Sequence, residues 1–350
     1  MDNIAHSLVG AAIGRAIGDS RLPAPALLGA IAANAPDFNE FLPGMPPRSN
    51  FNHRGITHSL LGAAIQAAIF VIVTGIVMFP FWRRENRPVP WKTIVGLYGA
   101  ALASHLLMDW LGSYGLRPFL PWSNQRYYGD WVAIVDPFFW LLPLIALAWG
   151  SERHWIPLAG VVVVGGPMTY AVFRAGANGV VAPWVLVIYL LLSIVAAIGW
   201  LGYWFGPVAR RRTAVLVLLV LGLYAGAQGV AVQFEKAAVR RAATTRFGPA
   251  AQAAALTRVG RPFTWSPIYI GADTVVGDGW RLPRHLDSPV VQRALRDTRE
   301  GRAMAQFARL LVAEVDSSGN AMMVYLRDAR YARTGRDGWG VMPVSLDRGR

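Results

Sequence analysis

Residues 60–79 read LLGAAIQAAIFVIVTGIVMF, an apolar run in which Gln66 is the one strongly polar side chain. A helix needs about 20 predominantly apolar residues to cross the hydrocarbon core of a bilayer. Two further runs of this kind occupy residues 182–205 and 214–232. The sequence therefore predicts an integral membrane protein.

The composition of the whole chain agrees with this prediction. Of its 350 residues, 54% are hydrophobic and 15% are charged, and the mean hydropathy is +0.35. Soluble domains carry roughly 25% charged residues. The chain has no cysteine, which excludes a disulfide framework and a thiolate zinc site. Any bound metal must use histidine, carboxylate or amide ligands.

The net charge of +14 comes largely from arginines at the ends of apolar segments and in the C-terminal region. In a soluble protein this charge would indicate nucleic acid. Beside apolar spans, arginines more simply set the topology or contact anionic lipid. We therefore expect membrane lipids as partners, and no nucleic acid.

The apolar segments predict an all-α, polytopic membrane fold. Residues 4–17 and 26–35 are each too short to span a bilayer, so they predict a short N-terminal helical hairpin that is re-entrant or interfacial. About six transmembrane helices are expected after it, at approximately residues 60–81, 91–111, 131–149, 155–173, 182–205 and 214–232.

The composition changes at about residue 233, after which no long apolar run occurs. The segments RFGPAAQAAALTRVG (residues 246–260) and VVQRALRDTREGRAMAQFARLLVAEV (residues 290–315) are typical of helices, whereas AMMVYLRDARY (residues 321–331) alternates as a strand does. We therefore predict two domains, a membrane-embedded helical domain at residues 1–232 and a small extramembrane α+β domain at residues 233–350.

Arginines also predict the orientation of the spans. Arg83, Arg84 and Arg87 follow the first span, and three arginines at residues 210–212 follow the fifth. Both groups lie on one side of the membrane if all six segments cross, and the positive-inside rule makes that side cytoplasmic. The loops before the first span and after the second, and the C-terminal domain, are then expected on the outer face.

Four of the six histidines lie in or beside apolar segments. An ionisable side chain at membrane depth costs roughly 2.5–3.5 kcal/mol on insertion scales, so one that is kept there usually has a partner. His105 and Asp109, in ASHLLMDWLG, are four residues apart. This spacing puts both side chains on one helix face, within reach of one ion.

The predicted topology puts His105 and Asp109 near the outer surface of the membrane. Six more polar residues are expected at the same depth. They lie in the N-terminal segment, in the loop before the first span, at the start of that span and at the start of the third: His6, Asp37, His53, Arg54, His58 and Asp136. Their convergence on one face of the membrane predicts a single buried divalent-metal site within the N-terminal domain.

Each of these residues also has a simpler interpretation that the sequence leaves open. His105 alone would often pack between helices and donate to a backbone carbonyl. His53 and His58 could be solvated at a helix N-terminus, Arg54 could be an interfacial anchor, and Asp136 could cap a helix or form a turn. The convergence of all of them favours the metal site.

The residue types suggest the chemistry. Histidines and aspartates without cysteine favour zinc, manganese or iron. Such ions polarise a phosphoryl or acyl oxygen and lower the pKa of a bound water to about 7. The planar fork of Arg54 would suit a substrate phosphate. Asp136 would suit a general base or a partner that orients a histidine.

The motifs together resemble a known family. His6, the APD at Asp37, HRGITHS at residues 53–59, HLLMDW at residues 105–110 and the later Asp136 resemble the YdjM-like family of bacterial inner-membrane proteins, described as metal-dependent hydrolases. That family is similar to the zinc-dependent phospholipase C and P1 nuclease superfamily, whose all-helical enzymes hydrolyse phosphate esters at zinc ions. The resemblance implies a multi-pass protein of the bacterial inner membrane.

The resemblance also implies roles for the matching residues. It makes five of them metal ligands, namely His6, Asp37, His58, His105 and Asp109. It leaves three to handle substrate or protons, namely His53, Arg54 and Asp136. The membrane portion after Asp109 has no HxxxE, so the resemblance implies one or two ions rather than three. Zinc is expected, with manganese or iron as alternatives.

We therefore expect a membrane-bound metal-dependent hydrolase that acts at the outer leaflet on a phosphoester in a lipid or lipid-linked substrate. One alternative is a non-catalytic membrane scaffold in which the metal only fixes the N-terminal helices. Another is an ion transporter, which would need polar residues through the full membrane depth. The last three predicted spans offer almost none, which disfavours transport.

Overall fold

The structure is a computed structural model that describes residues 1–18, 20–41, 54–149, 159–201, 207–318 and 322–347. Its ten helices, counted within these ranges, are α1 (Asn3–Ile17), α2 (Pro25–Asn34), α3 (Leu60–Arg84), α4 (Trp91–Leu111), α5 (Pro137–Ala148), α6 (Gly166–Ala177), α7 (Pro183–Leu201), α8 (Pro207–Phe247), α9 (Pro289–Asp297) and α10 (Arg299–Phe307). Short 3-10 turns occupy Ala35–Phe41 and Ile56–His58, and a π-helical turn occupies Val161–Gly165.

The N-terminal helices α1 and α2 form a tightly packed hairpin. The Asp2 carboxylate caps α1 by accepting from the backbone N–H groups of Ile4 and Ala5. Where the helices touch, Gly10 faces Gly29, and a Cβ on Gly10 would lie 2.4 Å from the Gly29 carbonyl oxygen. The absence of a side chain therefore permits this close approach.

The helices α3 and α4 follow as a second hairpin. Ser59 caps α3, and its hydroxyl accepts from the Gly62 N–H. The two helices differ in their surroundings, because Leu97 and Ala101 of α4 are fully buried whereas Ile72 and Ile76 of α3 are 58% and 69% exposed. We assign the exposed apolar face of α3 to contact with lipid. Helix α4 forms the centre of the packed core.

The expectation of six transmembrane helices is wrong. Within the described ranges, three helices are long and apolar enough to cross a membrane: Leu60–Arg84, Trp91–Leu111 and the Arg210–Phe247 part of α8. Shorter apolar stretches occur at Pro137–Ala148 and Pro183–Ile198. The predicted orientation assumed that six segments cross the membrane, and the structure does not support this assumption.

Local chain breaks explain the discrepancy. The predicted third span, residues 131–149, becomes helical only at Pro137, where Asp136 caps α5, and α5 has 12 residues. At 1.5 Å per residue this is about 18 Å, short of a hydrocarbon core of about 30 Å. Most of α5 is buried within the protein, so its apolar character serves core packing. The predicted fourth span is divided by the turn at Val161–Gly165, and residues 151–158 lie outside the described ranges.

The last predicted span is longer than expected. Helix α8 continues from its apolar part through residues 233–247, which carry Lys236, Arg240, Arg241 and Arg246. The predicted span ended at residue 232 because the apolar run ends there. The helix continues beyond it because Ala, Lys and Arg are good helix formers.

Among the residues described after α8, seven strands form two antiparallel sheets, so the structure is not all-α. One sheet has the order β1–β2–β3–β4, formed by Gln252–Thr257, Trp265–Ile270, Thr274–Gly277 and Trp280–Pro283. The other has the order β5–β6–β7, formed by Leu311–Asp316, Met322–Asp328 and Val341–Leu346. In this second sheet Val324 pairs with both Val315 and Val344.

One predicted helix in this region is also wrong. Residues 246–260 contain the end of α8 and then strand β1, although the segment is rich in alanine. Gly248 has a φ of +87° and follows the last helical residue, Phe247. Pairing with β2 then overrides the helix propensity of the alanines.

Two compact units make up the described structure. The first contains the helices up to Ala231 and the segment Thr257–Thr264. The second contains Val232–Leu256 and the chain from Trp265 onward. All the candidate site residues that the structure describes belong to the first unit.

Candidate metal centre

Five buried side chains meet where the two N-terminal hairpins come together. They come from α1, from the two 3-10 turns and from the last two turns of α4, and each is at most 5% exposed: His6, Asp37, His58, His105 and Asp109. Two overlapping groups among them have ligand atoms within 4.8 Å of one another, namely His6–His105–Asp109 and Asp37–His58–His105.

The spacing of four donor atoms suits a single ion. His58 Nε2 lies 2.9 Å from Asp37 Oδ1 and 3.6 Å from Asp109 Oδ2. His105 Nε2 lies 3.9 Å from Asp37 Oδ1 and 3.6 Å from Asp109 Oδ2. Ligands of a four-coordinate ion with bonds of about 2.0–2.2 Å lie about 3.3–3.6 Å apart. The two distances to Asp109 Oδ2 fall at the upper end of this range, whereas the His58–Asp37 distance is that of a hydrogen bond and the His105–Asp37 distance is slightly longer than the range.

Hydrogen bonds orient the two histidine rings toward this point. His105 Nδ1 lies 2.6 Å from the carbonyl oxygen of Ala33, which can only accept, so Nδ1 carries the proton and Nε2 keeps its lone pair. His58 Nδ1 lies 3.0 Å from Thr57 Oγ1. Metal-binding histidines typically have their second ring nitrogen fixed in this manner.

His6 lies beside this group. Its ring stacks on the His105 ring with centroids 4.0 Å apart, and its Nε2 lies 3.3 Å from Asp109 Oδ1. Within the described residues, both ring nitrogens of His6 and Nε2 of His105 are buried without a hydrogen bond. An unpaired buried polar atom costs about 1–3 kcal/mol, and a cation bound at His105 Nε2 would satisfy that atom.

The protonation of His6 and Asp37 is compatible with metal binding. Burial lowers the pKa of the His6 imidazole, and the nearby N-terminal amino group lowers it further, so the ring is neutral. Burial alone would raise the pKa of the Asp37 carboxyl, but in the metal-free chain the hydrogen bond from His58 Nε2 and the proximity of His105 outweigh it and lower the pKa to about 2. An ion bound at His58 Nε2 would replace the proton of this hydrogen bond. Neutral imidazole and ionised carboxylate are the forms that ligate metals.

Arg54 binds Asp109 through both terminal nitrogens of its guanidinium. Its Nη2 donates to Asp109 Oδ1 at 2.7 Å, and its Nη1 donates to the Asp109 carbonyl oxygen at 3.0 Å. The Met1 amino group also lies 2.7 Å from Oδ1. The guanidinium stacks on the Tyr114 ring at 4.6 Å, and the side chain is buried. Because Oδ1 is engaged by cations, Oδ2 is the oxygen that faces His58 and His105.

Asp136 has partners outside this cluster. Its Oδ1 accepts from the Phe138 N–H at 2.9 Å, as the cap of α5, and its Oδ2 accepts from the Tyr224 hydroxyl at 2.7 Å. Burial raises the pKa of the Asp136 carboxyl to about 6. The capping interpretation that the sequence left open therefore describes its contacts, and a catalytic role for it remains a prediction.

Two outcomes complete the placement of the predicted site residues. The structure brings Arg54 together with the five histidine and aspartate residues, whereas His53 lies outside the described residues.

The sequence did not predict the groups that support the cluster, which are the Ala33 carbonyl, Thr57 Oγ1 and the Tyr114 ring. Carbonyl groups have no signature in a sequence, and an isolated Thr or Tyr near a ligand is too common to be informative.

Fold and site define a helical membrane protein with a buried histidine–aspartate cluster at one end of an apolar helical hairpin. The chain belongs to the YdjM inner membrane protein family, which it matches over residues 1–234. This membership confirms the family resemblance and gives the protein an inner-membrane location. The matched range contains every candidate site residue.

A curated relative supports the inner-membrane assignment. The chain is 31% identical over 174 residues to the inner membrane protein YbcI of Escherichia coli (strain K12), covering 46% of this chain and 94% of that protein. No solved structure matches the chain.

Proposed function

We propose that this protein is a membrane-bound metal-dependent hydrolase that acts on a phosphoester in a lipid or lipid-linked substrate. The observation that carries the proposal is the convergence of four buried donor atoms, from Asp37, His58, His105 and Asp109, at successive distances of 2.9–3.9 Å. Structural zinc sites are usually rich in cysteine, whereas histidine–carboxylate sets are typical of hydrolytic sites. The resemblance of the His105–Asp109 pair to the ligand motif of zinc-dependent phosphoesterases would imply the same chemistry.

The donor set favours one ion over two. His105 has only Nε2 to offer, because its Nδ1 is bonded to Ala33, and the two overlapping groups both need that nitrogen. Asp37, His58, His105 and Asp109 would hold this ion, and zinc suits such nitrogen and oxygen ligands, with manganese or iron as alternatives. When bound, the ion supplies polarisation of a phosphoryl oxygen and a more acidic water.

The protein's own side chains have separate tasks in this proposal. Arg54 orients Asp109 by binding its Oδ1 and carbonyl oxygen. His6 is buried and neutral, and its ring nitrogens make no hydrogen bond in the described structure, so it can take up a proton beside the cluster. Burial of the five side chains limits the access of bulk water.

We place the cluster at the outer leaflet. Asp109 lies in the last turn of α4, whereas Arg83 and Arg84 lie in the last turn of α3, at the opposite end of the hairpin. The Trp82 indole N–H donates to the Arg21 carbonyl oxygen, so a further arginine belongs to that end. The positive-inside rule favours a cytoplasmic location for the arginine-rich end and hence an outer location for the cluster.

The test combines metal content with hydrolysis. Wild-type protein in nanodiscs should contain about one metal ion per chain and should release phosphate or a phosphorylated head group from a panel of lipid and lipid-linked phosphoesters. His105→Ala should lose both properties, because it removes a ligand at the centre of the site. His285→Ala, which changes an exposed histidine in the second unit, is the matched control and should retain both.

The burial of the cluster also supports a second candidate, a scaffold with a structural metal. All five side chains are nearly inaccessible, and Arg54 closes one side. In that case wild-type protein would contain stoichiometric metal, hydrolyse no member of the panel, and unfold at a lower temperature once a chelator has removed the ion. Wild-type protein without stoichiometric metal would contradict both candidates.

A further inference from the structure

A small hairpin follows α4, the helix that carries His105 and Asp109. Leu116 and Tyr127 pair as an antiparallel bridge, in which the Leu116 N–H donates to the Tyr127 carbonyl oxygen at 2.9 Å and the Tyr127 N–H donates back at 2.8 Å. The bridge closes residues 117–126 into one loop, which we call the 117–126 loop. Its conformation is therefore held by paired backbone groups.

The tip of the 117–126 loop is aromatic and exposed. Trp122 is 77% exposed and Phe119 is 45% exposed, and the edge of the Phe119 ring contacts Tyr127 with centroids 5.6 Å apart. Neighbouring exposed apolar side chains indicate an interaction surface more strongly than a single one does. Tryptophan in particular prefers the boundary between lipid and water, because its ring is apolar and its N–H is polar.

The position of the 117–126 loop matches that boundary. The Leu60 N–H, at the first residue of α3, donates to the Pro118 carbonyl oxygen at 2.9 Å. The Trp131 N–H, directly after the hairpin, donates to the carbonyl oxygen of Leu111, the last residue of α4, at 2.7 Å. The 117–126 loop thus lies where two candidate membrane spans leave the hydrocarbon core.

The charge of the 117–126 loop suits an anionic lipid surface. It contains Arg117 and Arg126, and residues 112–129 contain no aspartate or glutamate. Arg117 donates to the Asn124 side chain at 2.9 Å, and the Arg126 guanidinium lies 5.8 Å above the Tyr114 ring. Arg117 is buried, so the half-buried Arg126 is the arginine of this loop that is placed to contact lipid phosphates, an attraction of roughly 1 kcal/mol.

The base of the 117–126 loop is bonded to the metal centre. Arg117 Nη2 donates to the Arg54 carbonyl oxygen at 3.2 Å, and Gly115 O accepts from both Arg54 and Arg126. Arg54 is the residue that holds Asp109. We propose that the 117–126 loop is a lipid-docking surface, which inserts Phe119 and Trp122 into one leaflet and binds anionic headgroups beside the metal centre. This inference holds whether or not the site is hydrolytic.

The absence of native cysteine allows a direct test, because any introduced cysteine is the only thiol in the chain. Trp122→Cys would be labelled with an environment-sensitive fluorophore in nanodiscs of phosphatidylcholine and phosphatidylglycerol. Ile76→Cys, on the exposed face of α3, and Asp278→Cys, at the exposed turn between β3 and β4, are the lipid and water controls. The measurement is quenching by lipids spin-labelled near the headgroup or near the chain end, and by iodide.

We expect the Trp122→Cys probe to be quenched by the headgroup-proximal label, and the Ile76→Cys probe by the chain-end label. Iodide should quench the Asp278→Cys probe. The docking proposal is overturned if the Trp122→Cys probe is quenched by iodide as strongly as the Asp278→Cys probe and is insensitive to both lipid labels. A circular-dichroism spectrum and an unfolding midpoint equal to those of wild type confirm that the labelled protein is folded.

A second measurement tests the preference for anionic headgroups. Phosphatidylglycerol retained by the protein from a mixed detergent–lipid solution would be quantified by mass spectrometry. Arg126→Gln should lower its enrichment over phosphatidylcholine about fivefold, which corresponds to roughly 1 kcal/mol per arginine. Arg299→Gln, an exposed arginine of α10, should leave it unchanged. Equal enrichment in wild type and Arg126→Gln would overturn the headgroup preference.

Discussion

The Nη2 atom of Arg54 lies 2.7 Å from Oδ1 of Asp109, and Nη1 of the same guanidinium lies 3.0 Å from the Asp109 carbonyl oxygen. This two-point contact fixes the carboxylate so that Oδ2 points to His58 and His105, each 3.6 Å away. Arg54 therefore acts through Asp109 as a positioning residue. Its place in HRGITHS had suggested a phosphate ligand, a role that no contact in the described structure tests.

This contact predicts the effect of Arg54→Lys. Lysine keeps the charge but cannot bind the carboxylate and the carbonyl with one planar fork. Because partners that orient a ligand typically contribute about 10- to 100-fold to metal affinity, zinc binding should weaken by that factor. Competition with a fluorescent chelator measures it. Arg299→Lys is the control for the substitution, and equal affinity in Arg54→Lys and wild type would exclude the positioning role.

The lowered pKa of Asp37 predicts an acid dependence of stability in metal-free protein. Because the folded-state pKa is about 2 and the ordinary value is 3.8, the ionised carboxylate stabilises the fold above about pH 4. This contribution, about 2 kcal/mol, is lost as the pH falls toward 2. The free energy of unfolding of wild type relative to Asp37→Asn should therefore decrease over this range. A constant difference would show that Asp37 is not stabilised as an anion.

Asp136 should show the opposite dependence. Its folded-state pKa is raised to about 6, so the fold binds the proton more tightly and stability falls as the pH rises from about 4 to about 6. Asparagine also caps helices and does not ionise. Relative to wild type, Asp136→Asn should gain up to about 3 kcal/mol between pH 4 and pH 7, as measured by denaturant unfolding.

The same Asp136→Asn protein also tests whether this residue belongs to the metal centre. Its hydrogen bonds go to Phe138 and Tyr224, away from the ligands, so metal content should equal that of wild type. Loss of the metal would contradict this placement. Loss of hydrolysis with retained metal would instead favour the general-base role that the sequence suggested.

The hairpin of α1 and α2 should tolerate no side chain at Gly10. A Cβ there would lie 2.4 Å from the Gly29 carbonyl oxygen, so Gly10→Ala must move one helix and should cost about 1–3 kcal/mol. The matched control is Gly99→Ala in α4, where a Cβ meets no atom within 4 Å. Thermal unfolding should show a lower midpoint for Gly10→Ala only. Equal midpoints for the two variants would contradict the close packing.

Hydropathy located apolar helices but did not determine how many cross the membrane. The segment at residues 60–79 is apolar on all sides and long, and it forms α3. The segment at residues 131–149 is equally apolar, yet its helix begins only at Pro137 and is mostly buried by the protein. A one-dimensional average cannot distinguish side chains that face lipid from those that face other helices.

The sequence by itself determined the membrane class, the family and the pairing of His105 with Asp109. That pairing follows from local geometry, because residues four apart in a helix always share a face. Only the tertiary structure decided that Arg54 holds Asp109, that Asp136 caps α5 and bonds Tyr224, and that His6 stacks on His105. The contacts Arg54–Asp109, Asp136–Tyr224 and His6–His105 join residues from 55 to 99 positions apart, and nothing in the local sequence encodes which distant groups packing will bring together.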